Sequence, residues 1–270
     1  MKIRSPNKFK DTDSFRARWK EIDGKLDLDD EVESPGPLGS ALEKGGWSLS
    51  NRFAVQPMEG WDAHADGSPS EETFRRWRRF GESGAALIWG GEAFAVVEDG
   101  RANPNQLFHR DSDRSCRTLE SLRQAITAGH DAIGNEAPTA SVVGLQLTHS
   151  GRWSRPTTAG PSPKIAFQHP ILDERVSATA EQLLDDGELE SIAERYIEAA
   201  VCAQKAGFDF VDIKACHGYL LHELLSARTR PGRYGGDLEG RSRLLREVIA
   251  AVRSAARGLG VAVRLSVTDV

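Results

Sequence analysis

Four side chains capable of chemistry lie close together in the sequence: Lys214, Cys216, His217 and Tyr219. They follow residues 208–213, a short run of bulky apolar side chains that predicts a buried β-strand. Parallel α/β enzymes display catalytic groups in this way, at the points where buried strands end. The sequence therefore predicts a catalytic site at the end of this strand, which the other elements must position.

Alternating strands and helices predict the scaffold of this site. Apolar runs predict strands at 52–56, 85–90, 141–147, 208–213 and 261–267. Capping and apolar spacing predict helices that begin at the capping box Ser68–Glu71, with Pro69 at the first helical position, and that cover 113–128, 188–206 and 239–256. Strands that alternate with helices form a parallel sheet with right-handed crossovers.

Two architectures suit this pattern, an open doubly wound sheet and a TIM (β/α)8 barrel. No G-x-G-x-x-G motif follows the first predicted strand, which weakens the dinucleotide-binding sheet. Polar groups follow every strand instead of one switch point, which favours the barrel. Because the sequence ends after the fifth predicted strand, we expect an α/β barrel truncated after about the fifth of its eight strands.

The N-terminal part of the chain differs from the rest in being mostly polar. An apolar pattern around Trp19 predicts one short amphipathic helix, and residues 34–40 (SPGPLGS) predict a turn or linker. We therefore expect residues 1–45 to form an extension and linker, and residues 46–270 to form a partial barrel domain. The Pro- and Ser-rich segment 148–178 is too long for a plain connection, so we expect it to be functional.

Composition argues against several classes of function. The net charge of −5, without a long basic run, argues against nucleic acid as a partner. No run of about 18 apolar residues occurs, which argues against a membrane span. The N-terminus lacks the apolar core of a signal peptide, so we expect a cytoplasmic protein. The three cysteines are widely spaced without a C-x-x-C motif, which predicts reduced thiols and no metal site.

Several motifs are similar, in order along the chain, to those of one enzyme family. They are NRFAVQPM (51–58), GGEAFA (90–95), GLQLTHSGR (144–152), KACHGYLLHELLS (214–226), YGGDLEGRSRLLREV (234–248) and VRLSV (263–267). In these motifs, which run from about residue 45 to the end, the chain resembles the N-terminal part of the Old Yellow Enzyme family. Its members are FMN-dependent NADH:flavin oxidoreductases and ene-reductases with a TIM-barrel fold.

The resemblance implies a cofactor site for FMN, with NADH or NADPH as the reductant. Pro57, Met58 and Ala93 would line the flavin, Gln146 would meet its pyrimidine edge, and Arg264 would face N1. A flavin requires polar partners at its pyrimidine edge and a cation near N1, where the reduced ring carries negative charge. Judged from the residues alone, Gln146 could instead close a barrel layer and Arg264 could form an ion pair with a neighbouring carboxylate.

The resemblance also assigns roles to the residues after the fourth predicted strand. Lys214 and His217 would hold the electron-withdrawing oxygen of the substrate, which makes the β-carbon accept hydride from reduced flavin N5. Tyr219 would protonate the α-carbon, a general-acid step worth about 10²–10⁴-fold. We therefore expect an FMN-dependent NAD(P)H oxidoreductase that reduces activated C=C bonds. His222 and Glu223 are expected to belong to the helix that packs the site.

Two positions depart from the family pattern. Lys214 stands where a histidine is common, and its compact charge would favour an anionic or strongly polarised oxygen over a standard enone. Glu59 stands where the family often has a small polar residue or cysteine near flavin N5. A carboxylate there would disfavour the reduced, anionic flavin unless it points away or is neutralised.

In this family the FMN phosphate is held by barrel strands later than those seen in this sequence. We therefore expect the chain alone to retain FMN weakly, and its exposed sheet edges to allow self-association. Two other functions stay open: a truncated non-catalytic homologue that acts as a binding protein, and a barrel lyase that forms a Schiff base on Lys214. For the oxidoreductase, the expected partner is a small molecule with an activated double bond or carbonyl, with no nucleic acid and no membrane.

Overall fold

A computed structural model describes residues 5–22, 24–25, 31, 34–134 and 140–267. The helices are α1 (Thr12–Glu21), α2 (Gly36–Gly39), α3 (Glu71–Glu82), α4 (Ser112–Ala132), α5 (Pro170–Val176), α6 (Asp186–Lys205), α7 (Leu220–Ser226) and α8 (Leu238–Ala255). The strands are β1 (Leu42–Lys44), β2 (Trp47–Leu49), β3 (Ala54–Val55), β4 (Leu87–Ile88), β5 (Ala93–Ala95), β6 (Val142–Thr148), β7 (Phe210–Ala215) and β8 (Gly260–Leu265).

The main sheet is parallel throughout and has the strand order β3-β4-β6-β7-β8, with β5 paired to β6. Neighbouring strands follow each other along the chain, and helices α3, α4, α6 and α8 form the connections. This is the strand order of a (β/α)8 barrel, as predicted. Within the described residues β3 and β8 are the two edges, so the sheet is not closed into a barrel.

Alternation along β7 separates the hydrophobic core from the site. Val211 and Ile213 are fully buried in the core between the sheet and the helices. Side chains of a strand alternate between its two faces, so Phe210, Asp212 and Lys214 point to the other, inner face of the sheet. The inner face carries polar residues toward the carboxyl end of the strand, which is where the sequence predicts the site.

An antiparallel hairpin of β1 and β2 covers the amino-terminal end of the strands. Its Trp47 ring lies 5.1 Å from the ring of Phe210, the first residue of β7, and the Phe210 ring also contacts Trp89 at 5.3 Å. The hairpin crosses the predicted boundary at residue 45, a feature that the sequence did not reveal. The domain division stays a prediction.

Three local predictions about elements require correction. Helix α3 begins two residues later than predicted, because Ser70 accepts a hydrogen bond from the backbone N–H of Thr73, whereas Ser68 is bonded to Asp66. Strand β5 is additional to the predicted set and pairs with β6 separately from β4. Residues 148–178 contain a helix, α5, which begins after His169 with proline at its first position.

The cysteines differ from expectation. Cys116 of α4 and Cys202 of α6 form a disulfide, with a Cα–Cα distance of 4.5 Å. The prediction of reduced thiols is therefore wrong for this pair, because α4 and α6 pack together although the two residues lie 86 positions apart. Cys216 is free and buried, and burial raises the pKa of its thiol, which makes it a poor nucleophile. No helix in the described part of the chain is long and apolar enough to cross a membrane.

Candidate active site

Strand register brings the predicted site residues to one end of the sheet. Ala93 of β5 pairs with Gln146 of β6, which in turn pairs with Asp212 of β7. Two residues further along β7, Lys214 pairs with Arg264 of β8. Residues predicted from motifs far apart in the sequence therefore occupy two adjacent layers at the carboxyl ends of the strands, the usual location of barrel active sites.

Lys214 and Glu59 form an ion pair in this end of the sheet. The Lys214 side chain is 4% exposed and the Glu59 side chain 23% exposed. The ammonium also lies 3.9 Å from the centre of the Tyr219 ring, a cation–π contact. The two departures from the family pattern are thus one feature, because the charge that each residue introduces is neutralised by the other.

Tyr219 lies immediately before α7, with its ring under the Lys214 ammonium. Burial and the nearby Glu59 carboxylate raise the pKa of its phenol. The phenol is consequently protonated at neutral pH. It can donate a hydrogen bond or a proton to a substrate atom placed above it.

His217 has an exposed side chain and a backbone φ of 61°, in the left-handed region. The tight turn continues through Gly218, whose backbone N–H donates to Nδ1 of His222 at 2.7 Å. Burial and the charges of Lys214 and Arg264 lower the pKa of His217, so its imidazole is neutral near pH 7. The ring lies 6.5 Å from the ring of Tyr219, and His222 belongs to α7 as expected.

Gln146 is held by a carboxylate that the sequence analysis did not single out. The side-chain N–H of Gln146 donates to Oδ2 of Asp212 at 2.7 Å, and Trp89 donates to the same oxygen at 2.9 Å. In this orientation the amide oxygen of Gln146 receives no hydrogen bond from the described residues. It is therefore available to accept one from a ligand. Inner-face alternation from Phe210 to Lys214 is the signal that could have identified Asp212.

The remaining residues predicted to contact flavin are Pro57, Met58 and Ala93, which are uncharged, and the cationic Arg264. Pro57 and Ala93 are buried, and the Met58 carbonyl accepts a hydrogen bond from the Ala93 N–H at 3.0 Å, although the Met58 side chain is 66% exposed. Arg264 is half-buried and forms no ion pair with any described residue, so the ion pair considered as its alternative role is not found. A free acceptor on Gln146 and an unpaired cation on Arg264 fit the needs of a flavin pyrimidine edge and N1.

His149, which follows β6, is hydrogen-bonded to the first residue of α7. Its carbonyl accepts from the backbone N–H of Leu220 at 3.1 Å, and its Nδ1 accepts from the N–H of Gly151 at 3.0 Å. The side chain is fully buried, and this burial lowers the pKa of His149 to about 4. The imidazole is therefore neutral in the folded protein near neutral pH.

Replacing His149 with asparagine is expected to make the folded protein less sensitive to acid. An unfolded histidine titrates near pH 6.5, so between about pH 6.5 and pH 4 the unfolded chain binds a proton that the folded chain does not. The free energy of unfolding therefore decreases as the pH is lowered, by about 3 kcal/mol over this range. Urea denaturation at about pH 7 and pH 4.5 measures the loss. His64→Asn, a change at an exposed histidine, is the control, and it should lose as much unfolding free energy between the two pH values as the original protein does. If His149→Asn also lost that much, the expectation would be contradicted.

A sequence model of the NADH:flavin oxidoreductase / NADH oxidase family matches residues 41–270 of the chain. An NADPH dehydrogenase of Bacillus licheniformis is 33% identical over 231 residues, which cover 83% of this chain and 61% of that protein. The chain thus spans 52–62% of the length of such curated relatives.

Solved structures show the same fold. Old Yellow Enzyme from Pichia sp. AKU4542 superposes with a TM-score of 0.67 at 24% identity, covering 85% of this chain and 59% of that one. Morphinone reductase superposes with a TM-score of 0.64 at 25% identity, covering 84% and 61%. Both neighbours are TIM barrels, which confirms the predicted fold class.

Proposed function

Because the chain belongs to the NADH:flavin oxidoreductase / NADH oxidase family, we propose that the protein is an FMN-dependent oxidoreductase that reduces activated C=C bonds with NADH or NADPH. One observation carries this proposal: Lys214, His217 and Tyr219 end β7 and its turn beside Arg264 of β8, whose guanidinium forms no ion pair with a described residue. Oxygen-polarising donors, a protonated phenol and a cation suited to a reduced flavin therefore occupy one end of the sheet.

Five residues would hold the flavin. Arg264 would lie near N1, the amide oxygen of Gln146 would accept from the pyrimidine edge, and Pro57, Met58 and Ala93 would line the ring. When bound, FMN would take hydride from NAD(P)H and supply it to the substrate. Asp212 would keep the Gln146 amide in the orientation that this contact needs.

The substrate would be bound by neutral donors. Glu59 cancels the charge of Lys214, so the pair favours a neutral carbonyl oxygen over an anion at this point, in contrast to an isolated ammonium. The neutral imidazole of His217 would donate a second hydrogen bond. Polarisation of the carbonyl makes the β-carbon electrophilic, and Tyr219 would then protonate the α-carbon.

Replacing Arg264 with glutamine is expected to weaken FMN binding about tenfold and to make the flavin reduction potential more negative. The reason is that a cation near N1 stabilises the negative charge of the reduced ring more than the neutral oxidised ring. Titration of the purified protein with FMN, followed by reductive titration, measures both quantities. Arg253→Gln, a change at an exposed position of α8, should alter neither. Unchanged affinity and potential in Arg264→Gln would remove Arg264 from the flavin site.

Two further proposals concern a polypeptide of these 270 residues. Because β3 and β8 are unpaired edges in the described sheet, we propose that this polypeptide retains FMN weakly and self-associates. Stoichiometric flavin in a purified, monomeric 270-residue chain would contradict both.

The Schiff-base lyase is the less favoured alternative. A Schiff base requires the Lys214 nitrogen as a free nucleophile, whereas in the structure this nitrogen is engaged in the ion pair with Glu59. Borohydride trapping of a carbonyl compound on Lys214 would support the lyase and should fail for the oxidoreductase.

A further inference from the structure

A cavity of about 380 Å³ lies beside His217, between α5, α7 and the segment that follows β6. The residues that matter for its chemistry are Trp153, Phe167, His169, Arg175, His217 and His222. Its outer wall comes from residues 148–178, the segment whose length predicts a functional role. The volume is within the usual range for sites that bind small molecules.

Two histidines in this cavity have a tautomer fixed by the backbone. Nδ1 of His222 accepts from the N–H of Gly218 at 2.7 Å. Nδ1 of His169 accepts from the N–H groups of Ile171 and Leu172, at 3.3 and 3.2 Å. A nitrogen that accepts carries no hydrogen, so in both neutral imidazoles the hydrogen is on Nε2, and the remaining ring nitrogen is a donor.

The carboxylates near the cavity are already occupied. Glu223 and Asp173 both pair with the buried guanidinium of Arg152, and Glu223 also accepts from the N–H of Ala166 at 3.2 Å. Arg175, in contrast, is exposed and has no ion-pair partner among the described residues. Among the described residues that line it, the cavity therefore has imidazole donors and the positive charge of Arg175, and no unpaired carboxylate.

Aromatic side chains form the apolar part of the wall. Phe167 is half-buried, its ring lies 6.0 Å from the His169 ring, and the Arg152 guanidinium lies 5.9 Å from its centre. Trp153 lies against the turn at Gly218, next to His217. Flat rings beside hydrogen-bond donors suit a planar ligand that carries acceptor groups.

We propose that this cavity binds a planar, conjugated substrate through a carboxylate at the end remote from the reacting double bond. The carboxylate meets Arg175 and the Nε2–H of His169, the planar part lies against Trp153 and Phe167, and the carbonyl end reaches His217. The assignment deepens the proposed function, on which it rests through the shared residue His217, by naming the substrate class.

Calorimetric titration with 4-acetylbenzoate tests the cavity without turnover, because this ketone carries a remote carboxylate. The neutral 4-acetylbenzamide has the same shape, and we expect it to bind about tenfold more weakly, since it loses the charge-assisted contact with Arg175. Arg175→Gln should abolish the preference for the acid over the amide, and Trp153→Ala should weaken the binding of both compounds. Arg79→Gln, a change at an exposed arginine of α3, should leave both affinities as they were.

The outcomes separate this proposal from the proposed function. Equal affinity for acid and amide, an unchanged preference in Arg175→Gln, or no binding of either compound would overturn the cavity assignment. Binding as expected by a protein that takes up no FMN even when the cofactor is supplied in large excess would support the cavity and contradict the oxidoreductase. FMN reduction by NAD(P)H without binding of 4-acetylbenzoate would support the oxidoreductase and contradict the cavity assignment.

Discussion

Replacing Lys214 with methionine is expected to lower the free energy of unfolding by about 3 kcal/mol, because it leaves the Glu59 carboxylate without its partner. Glu59→Gln is expected to cost about 3–5 kcal/mol, since the ammonium of Lys214 is almost fully buried. The double variant removes both charges and should cost at least about 2 kcal/mol less than the sum of the single changes. Urea denaturation of the four proteins measures this coupling.

An exposed ion pair provides the control for this cycle. Arg78 and Glu82 of α3 are both well exposed, so the same pair of substitutions there should give a coupling of about 0.5 kcal/mol or less. If the Lys214 and Glu59 effects simply added, the two residues would be independent. Lys214 would then act as an isolated cation, and the substrate oxygen would be expected to be anionic.

Replacing Tyr219 with phenylalanine is expected to slow reduction of an activated alkene by about 10²–10⁴-fold, because we propose the phenol as the proton donor. Reduction of bound FMN by NADPH involves no proton from Tyr219, so its rate should change little. Rapid mixing under anaerobic conditions separates the two half-reactions.

Tyr234→Phe is the matched control for this prediction. The buried Tyr234 hydroxyl donates to the Glu247 carboxylate of α8 at 3.1 Å, and neither residue is among those proposed to bind flavin or substrate. Its loss should leave both half-reactions unchanged. An unaltered alkene half-reaction in Tyr219→Phe would show that another group, or solvent, supplies the proton.

The sequence predicted the longer elements well, because their signals are local. Helix α6 and strand β7 follow from apolar periodicity, and both lie within two residues of their predicted bounds. The predicted strand 85–90 contains β4 but stops before β5, since a strand of three residues carries too little pattern to be predicted by itself. The start of α3 was misplaced because Ser68 and Ser70 are both serines that could serve as the N-cap residue. Only the structure shows that Ser70 is the N-cap.

The sequence analysis named the candidate site residues and missed the contacts between them. Motifs identified Lys214, His217 and Tyr219, and they singled out Glu59 as unusual. Glu59 follows β3 and Lys214 lies on β7, so their pairing joins residues 155 positions apart, which no local pattern encodes. The disulfide between Cys116 and Cys202 and the bond from Gln146 to Asp212 are long-range contacts of the same kind.

Anaerobic addition of one equivalent of NADPH to the FMN-loaded protein, followed by 2-cyclohexenone, tests the central claim most directly. The proposed function predicts that NADPH bleaches the flavin absorbance and that the enone restores it, with one equivalent of the saturated ketone formed. A flavin that stays oxidised with NADPH, or that is not reoxidised by the enone, would contradict it.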